Sequence, residues 1–226
     1  MKSNIFLRVI TGCVVLLWAN YCSANNLTPE KAKIFADTKG KEILMIFQEE
    51  DLVKRYAALD EMIKNYIDID YISKFVIGKY RQMMSQEQKQ KYRNIFERYG
   101  LALYKTLPLH YAKDLTFEIK GAEVDKNFVN VAANVTVRLG KEKQEISLFF
   151  RMHETSEGIK LVDVKIAESS LLLSYRSKFY QMIAQSDNEI EWFLEDLETM
   201  AVSYEYNLRQ NILKQQKLLE IETKNK

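Results

Sequence analysis

Little in this 226-residue chain breaks or bends a backbone. Two prolines and seven glycines exclude long loops and flexible linkers over most of its length. Cysteine is almost missing: Cys13 and Cys22 are the pair, both near the start. The two histidines, His110 and His153, have no neighbour at metal-ligand spacing. No glycine-rich phosphate loop occurs, and no serine flanked by glycines marks a nucleophile elbow. Asp68 with Asp70, and Asp163 with Glu168, are the closest acid pairs with any claim to chemistry. With no partner base they read as caps or surface acids.

What is present begins with an export pattern. Lys2 and Arg8 form a basic start, Val9 to Trp18 a short apolar run, and Cys22-Ser23-Ala24 a small-residue cleavage site. That is the pattern of a secretory signal peptide cut after Ala24, and the apolar run is too short for a comfortable transmembrane helix. Cleavage lowers the basic residues from 33 to 31, equal to the 31 acids. The expected mature chain carries no net charge, no cysteine and no concentrated basic face for a nucleic acid. The expected organisation is a signal peptide at 1–24, one α+β domain at 25–213 and a polar tail at 214–226 read as a solvated, frayed helix end.

Helical periodicity comes first. Thr28-Pro29 is a helix start, and Leu52, Tyr56, Leu59, Ile63 and Tyr66 mark a second helix. Asp70 is a candidate cap for a short helix ending at Gly78. Ser85 to Gln88 is a capping box, followed by the apolar face of Tyr92, Ile95, Phe96, Tyr99 and Leu103, up to Pro108. From Leu115 the period becomes two. Four alternating sets follow, at 115–119, 129–137, 146–152 and 162–166, which predicts a four-stranded antiparallel meander with one apolar face. Helices then resume, first through Leu171, Tyr175, Phe179 and Ile183, then from about Asp187. Helices, strands and helices in that order predict an α+β fold.

The expected apolar wall on the sheet is Phe117, Val131, Ala133, Val135, Leu148, Phe150 and Val164, faced from helices by Tyr104, Leu171 and Tyr175. A packed core and a lipid cavity have the same composition, so periodicity does not separate them.

Several stretches, in order, resemble one family. Asp70 to Arg81 is an Asp-led helix ending in a Gly-x-aromatic-Arg element. Ser85-Gln86-Glu87-Gln88 precedes an aromatic helix carrying Tyr104. Asp163-Val164, Ser170-Leu171 and Tyr175-Arg176-x-x-Phe179 form the strongest block. Together they resemble the MlaC or toluene-tolerance family of periplasmic lipid carriers. The resemblance implies a curved antiparallel sheet wrapped by helices around acyl chains, with no reaction and no cofactor. It implies a monomeric phospholipid carrier that shuttles between an outer-membrane lipoprotein complex and the lipid-binding ring of an inner-membrane ABC transporter. Another envelope lipid such as a hopanoid, or a protein partner held on the apolar groove, are the competing occupants. One departure stands out: Ala167-Glu168 replaces the family's usual Glu-Gly at the strand-to-helix corner, where a glycine would permit a special backbone angle.

Overall fold

In the computed structural model, residues 27–106, 115–139 and 142–224 are described. The signal peptide and its cleavage site, His110, Pro108 and the turn at Gly140 lie outside them. Among the described residues six α-helices and five strands follow in chain order, with a 3₁₀ segment at Gly78–Met83 after α3: α1 (Pro29–Gln48), α2 (Leu52–Tyr66), α3 (Ile69–Ile77), α4 (Gln86–Lys105), β1 (Leu115–Asp125), β2 (Phe128–Leu139), β3 (Glu142–Thr155), β4 (Gly158–Ile166), β5 (Ser169–Ser170), α5 (Leu171–Gln185) and α6 (Ile190–Lys224).

The caps explain the boundaries. Thr28 accepts a hydrogen bond from the Lys31 amide, with Pro29 in the first turn. Asp51 accepts from the amides of Val53 and Lys54 at the start of α2. Ser85 and Gln88 form the expected capping box. At α3 the cap is Asp68, whose carboxylate accepts from the Tyr71 amide. Asp70, the expected cap, sits in the first turn and pairs with Lys74. Two acids two residues apart are both favourable near a helix start, so sequence alone does not choose between them. Gly78 ends α3 at φ 49, ψ −124.

The strands form one open antiparallel sheet in the order β1-β2-β3-β4-β5. The predicted count of four becomes five because the chain after β4 doubles back for two residues. Lys165 pairs with Ser170 and Ile166 with Ser169. The first half of β4's outer edge is met by Ile67, which bridges Leu161 in parallel. The Asp68 amide donates to the Leu161 carbonyl at 2.9 Å.

Buried side chains gather in three places. The largest cluster is helical, joining α3, α4, α5 and α6 around Phe179, Phe193 and Tyr99. A second lies between α1 and the sheet, with Ala32 and Ala36 against Val129, Val131 and Met152. A third gathers Phe47, Tyr56, Leu59, Ala102 and Leu208. The expected polar tail is a continuation of α6, which stays helical to Lys224. Gln215 explains part of this. Its amide oxygen accepts from the Leu52 amide at 2.9 Å and its amide nitrogen donates to the Glu50 carbonyl at 2.7 Å.

Candidate functional site

The corner between β4 and α5 is built around a buried carboxylate. Asp163 accepts from the Leu172 amide at 2.9 Å and from the Ser170 hydroxyl at 2.6 Å. Ser170 in turn caps α5 by accepting from the Leu173 amide at 3.0 Å. Asp163 therefore caps the start of α5 from a buried position, a cap rather than the surface acid that the sequence left as the other reading. Between the two paired strands, Ala167 takes φ 52 and donates its amide to the Ser147 carbonyl at 2.8 Å. The left-handed angle that glycine would supply is kept without the glycine. Further along α5, Arg176 lies over the Phe75 ring and donates to the Tyr180 hydroxyl at 3.1 Å, which also accepts from the Lys79 amide. The Tyr175-Arg176 pair thus points Arg176 at the end of α3.

All seven strand residues expected to form an apolar wall share one sheet face. Cross-strand partners stand on the same side, and the register forms three adjacent rows: Phe117, Val135 and Ile146; Ile119, Ala133, Leu148 and Ile166; Ala122, Val131, Phe150 and Val164. A bulge between Ile119 and Gly121 keeps Ala122 on that face, because one inserted residue restores the alternation. α1 crosses part of it. Val131 is packed against α1, and Ala133 is 1% exposed. Phe117 lies directly under Gly40 and 6.0 Å from the Phe150 ring. Phe117, Val135, Leu148, Phe150, Val164 and Leu171 are half-buried, and Ile166 is 44% exposed.

Tyr104 and Tyr175 meet elsewhere. They line an apolar cleft walled by Ile63 of α2, Ile72 of α3 and Phe96, Tyr99 and Leu103 of α4, with Ile67 and Ile69 at the α2–α3 joint. Its volume is about 50 Å³. That holds water-sized molecules but falls well below the roughly 300–1,000 Å³ of a pocket closed around a whole ligand. Burial pushes the Tyr104 hydroxyl up to about 12, helped by the negative charge of Asp163. Burial likewise raises Tyr99 and Tyr175 to about 12. All three stay neutral at ordinary pH; Glu97 is the acidic residue of the lining.

Beside it lies a larger polar cleft of about 390 Å³. It opens between the β3–β4 turn, the end of α2, the start of α3 and the outer face of α4. Lys64, Arg93 and Lys160 supply positive charge; Asp68, Asp70, Glu97 and Glu157 supply negative. Asp68 is engaged with His153 at 2.8 Å. His153 is half-buried on β3 and stacked on Phe128. Ile67, Ile69 and Glu97 line both clefts. Ile67, Ile69, Ile72 and Leu101 were not expected at the site. Part of the signal is in the sequence: Ile67 follows Ile63 by four residues, and Ile67 and Ile69 flank Asp68. Among the described residues, no group of three or more His, Cys, Asp or Glu is placed to hold a metal ion, and no helix is long and apolar enough to cross a membrane.

An open antiparallel sheet, helices packed on one face and one edge, and an apolar cleft bordered by a polar one define the class: an α+β protein with paired clefts at the helix–sheet border. The MlaC protein family model matches residues 41–199, so the chain belongs to the MlaC family. Among solved structures, the phospholipid-binding protein from Ralstonia solanacearum, determined in complex with a phospholipid, has the same fold. The TM-score is 0.63 and the identity 17%, over 76% of this chain and 98% of that one. None of the curated proteins matches.

Proposed function

We propose that this protein is a periplasmic phospholipid carrier, exported by cleavage after Ala24 and carried by residues 25–213. Membership of the MlaC family is the observation that carries the reading. The phospholipid held by the Ralstonia solanacearum protein of the same fold supports it.

The physical demand on such a carrier is simple. About 30 methylenes at about 0.8 kcal/mol each make bare transfer of a diacyl lipid into water cost on the order of 20 kcal/mol. Apolar walls that receive the tails remove most of that cost. Unloading then requires a partner that offers its own apolar site. Those partners would be an outer-membrane lipoprotein complex and the lipid-binding ring of an inner-membrane ABC transporter, served by a monomer. Tyr104 and Tyr175 would meet the tails in the helical cleft, and Phe117, Val135, Leu148, Phe150, Val164 and Leu171 along the half-buried sheet face. Val131 and Ala133 are already covered, so they would touch lipid only after α1 shifts. The small volume of the helical cleft means that its walls part on loading. Binding is the whole function in this reading; no reaction and no cofactor enter it.

Transfer between two vesicle populations tests it. The protein should move a labelled phospholipid from donor to acceptor vesicles in proportion to its concentration. No transfer, together with no lipid bound after incubation, would refute the reading. Uptake of a hopanoid in preference to any phospholipid would change the cargo and keep the carrier.

A further inference from the structure

The outer side of α6 carries an apolar stripe that the described residues leave open. Trp192, Val202, Tyr206, Leu213 and Ile221 are each between 46% and 59% exposed. At 3.6 residues per turn they fall within a sector of about 100°, and the stripe runs about 44 Å along the helix. The opposite side faces the body of the molecule: Phe193, Leu194, Leu197 and Ala201 are fully buried in the helical core. The MlaC family model ends at residue 199, so all of the stripe but Trp192 lies beyond the matched region. We propose that α6 pairs antiparallel with the α6 of a second copy of this chain, around a two-fold axis at Tyr206. The inference goes beyond the carrier reading: the monomer carries lipid, and the pair is a reversible form that it enters as concentration rises.

Charge decides the partner and its direction. Residues 190–208 hold Glu191, Glu195, Asp196, Glu198 and Glu205 and no lysine or arginine. Residues 209–224 hold Arg209, Lys214, Lys217 and Lys224 against Glu220 and Glu222. One half of the helix is acidic and the other is net basic. An anionic lipid surface would attract the second half and repel the first, whereas a second copy turned end for end meets both. Two opposite charges sit on the stripe itself, Glu195 and Lys217. Glu195 is eleven residues before Tyr206 and Lys217 eleven after, so a two-fold pair centred on Tyr206 sets each Glu195 against the other copy's Lys217. Neither is in an ion pair among the described residues, whereas Glu191, Glu198 and Glu205 are held by Lys91 and Arg98. The apolar positions agree with the same centre: Tyr206 meets itself, and Trp192 falls beside Ile221. A parallel pair would instead set Glu195 against Glu195 and Lys217 against Lys217, and facing charges of one sign select against that orientation. The contact uses the same patch on both copies, so it closes at two. Both clefts are lined from α2, α3, α4, the β3–β4 hairpin and Tyr175, so the pairing stripe and the lipid walls are separate surfaces.

Sedimentation equilibrium of the mature full-length protein tests it. One helix pair is a small contact of the weak, transient kind, so the average mass should climb from one chain towards two between roughly 1 and 200 µM. Glu195→Lys and Lys217→Glu, each alone, should weaken pairing roughly tenfold or more, because each sets like charges face to face at two places. Glu195→Lys combined with Lys217→Glu restores opposite charges and should recover pairing to within about threefold of the unaltered protein. A monomer at every concentration overturns the inference. So does a dimer that either single variant leaves unchanged, or a loss that the double variant does not repair. If the unaltered protein stays monomeric and floats with phosphatidylglycerol vesicles, a lipid surface covers the stripe and the inference is likewise overturned. The single variants should transfer labelled phospholipid between vesicles as the unaltered protein does. Intact pairing with no lipid transfer by any of these proteins would strike at the carrier reading and leave the pairing standing.

Discussion

Ala167 shows how one residue can keep a family's backbone while losing its usual side chain. At φ 52 an alanine is strained by roughly 1–2 kcal/mol relative to an extended angle. It is held by its own amide bond to Ser147 and by the two-residue β5 pairing just beyond it. The strain should be recoverable. Ala167→Gly removes it and costs roughly 0.5–1 kcal/mol in unfolded-state entropy. The variant is therefore expected to gain up to about 1 kcal/mol, read as a higher urea midpoint with an unchanged slope. A loss of stability would mean that the alanine methyl makes a contact worth more than the angle. The anomaly was visible in the sequence as a missing glycine. Its resolution was not, because a backbone angle imposed by neighbouring hydrogen bonds leaves no mark in composition.

Among elements, α1 depends on a stripe of small residues. Ala32, Ala36 and Gly40 recur every four positions and bring the helix close against β1 and β2. A side chain at Gly40 would put its first carbon 2.5 Å from the Phe117 ring. Mid-helix glycine otherwise costs roughly 0.8–1.0 kcal/mol relative to alanine, so close approach is what it supplies here. The expected outcome is a sign change. Gly40→Ala should destabilise the protein while Phe117 is present, and stabilise it by about 1 kcal/mol in a Phe117→Ala background, where the helix gains propensity without a clash. Urea unfolding of the four proteins in the cycle measures it; additivity would show that the ring simply turns aside. α4 and α6 are fixed differently, by Arg98, which reaches Glu198 at 2.5 Å and Glu205 at 2.7 Å. The charged and polar end of α6 looked solvated from its composition. The amide of Gln215 bracketing the α1–α2 loop belongs to a pairing 163 residues distant in sequence, which no local pattern records.

Across the whole molecule, the sheet was more legible than the cleft. Period-two alternation in β1 to β4 places Phe117, Val135, Leu148, Phe150 and Val164 on one face with few alternatives, because a one-residue slip turns every side chain over. The apolar cleft draws on α2, α3, α4 and α5 together. Its existence depends on how four helices are set, which their separate periodicities do not encode. Tyr99, Tyr104 and Tyr175 there share one physical property with a global consequence. Their folded pKa values, pushed up to about 12 by burial, lie above the value near 10 of an unfolded tyrosine. Between those two pH values the unfolded chain sheds protons that the folded one retains. The stability they contribute is complete below about pH 10 and is lost as pH rises towards about 12. The urea midpoint should fall across that window, and less steeply in Tyr104→Phe and Tyr175→Phe; a flat midpoint would mean that the cleft opens to water readily. The proposed role of these walls is to hold phospholipid tails, and native mass spectrometry of the protein purified without detergent is the direct test. The expected spectrum holds a population heavier by one phospholipid, replenished after exposure to vesicles. Lipid-free protein both as isolated and after that exposure would contradict it.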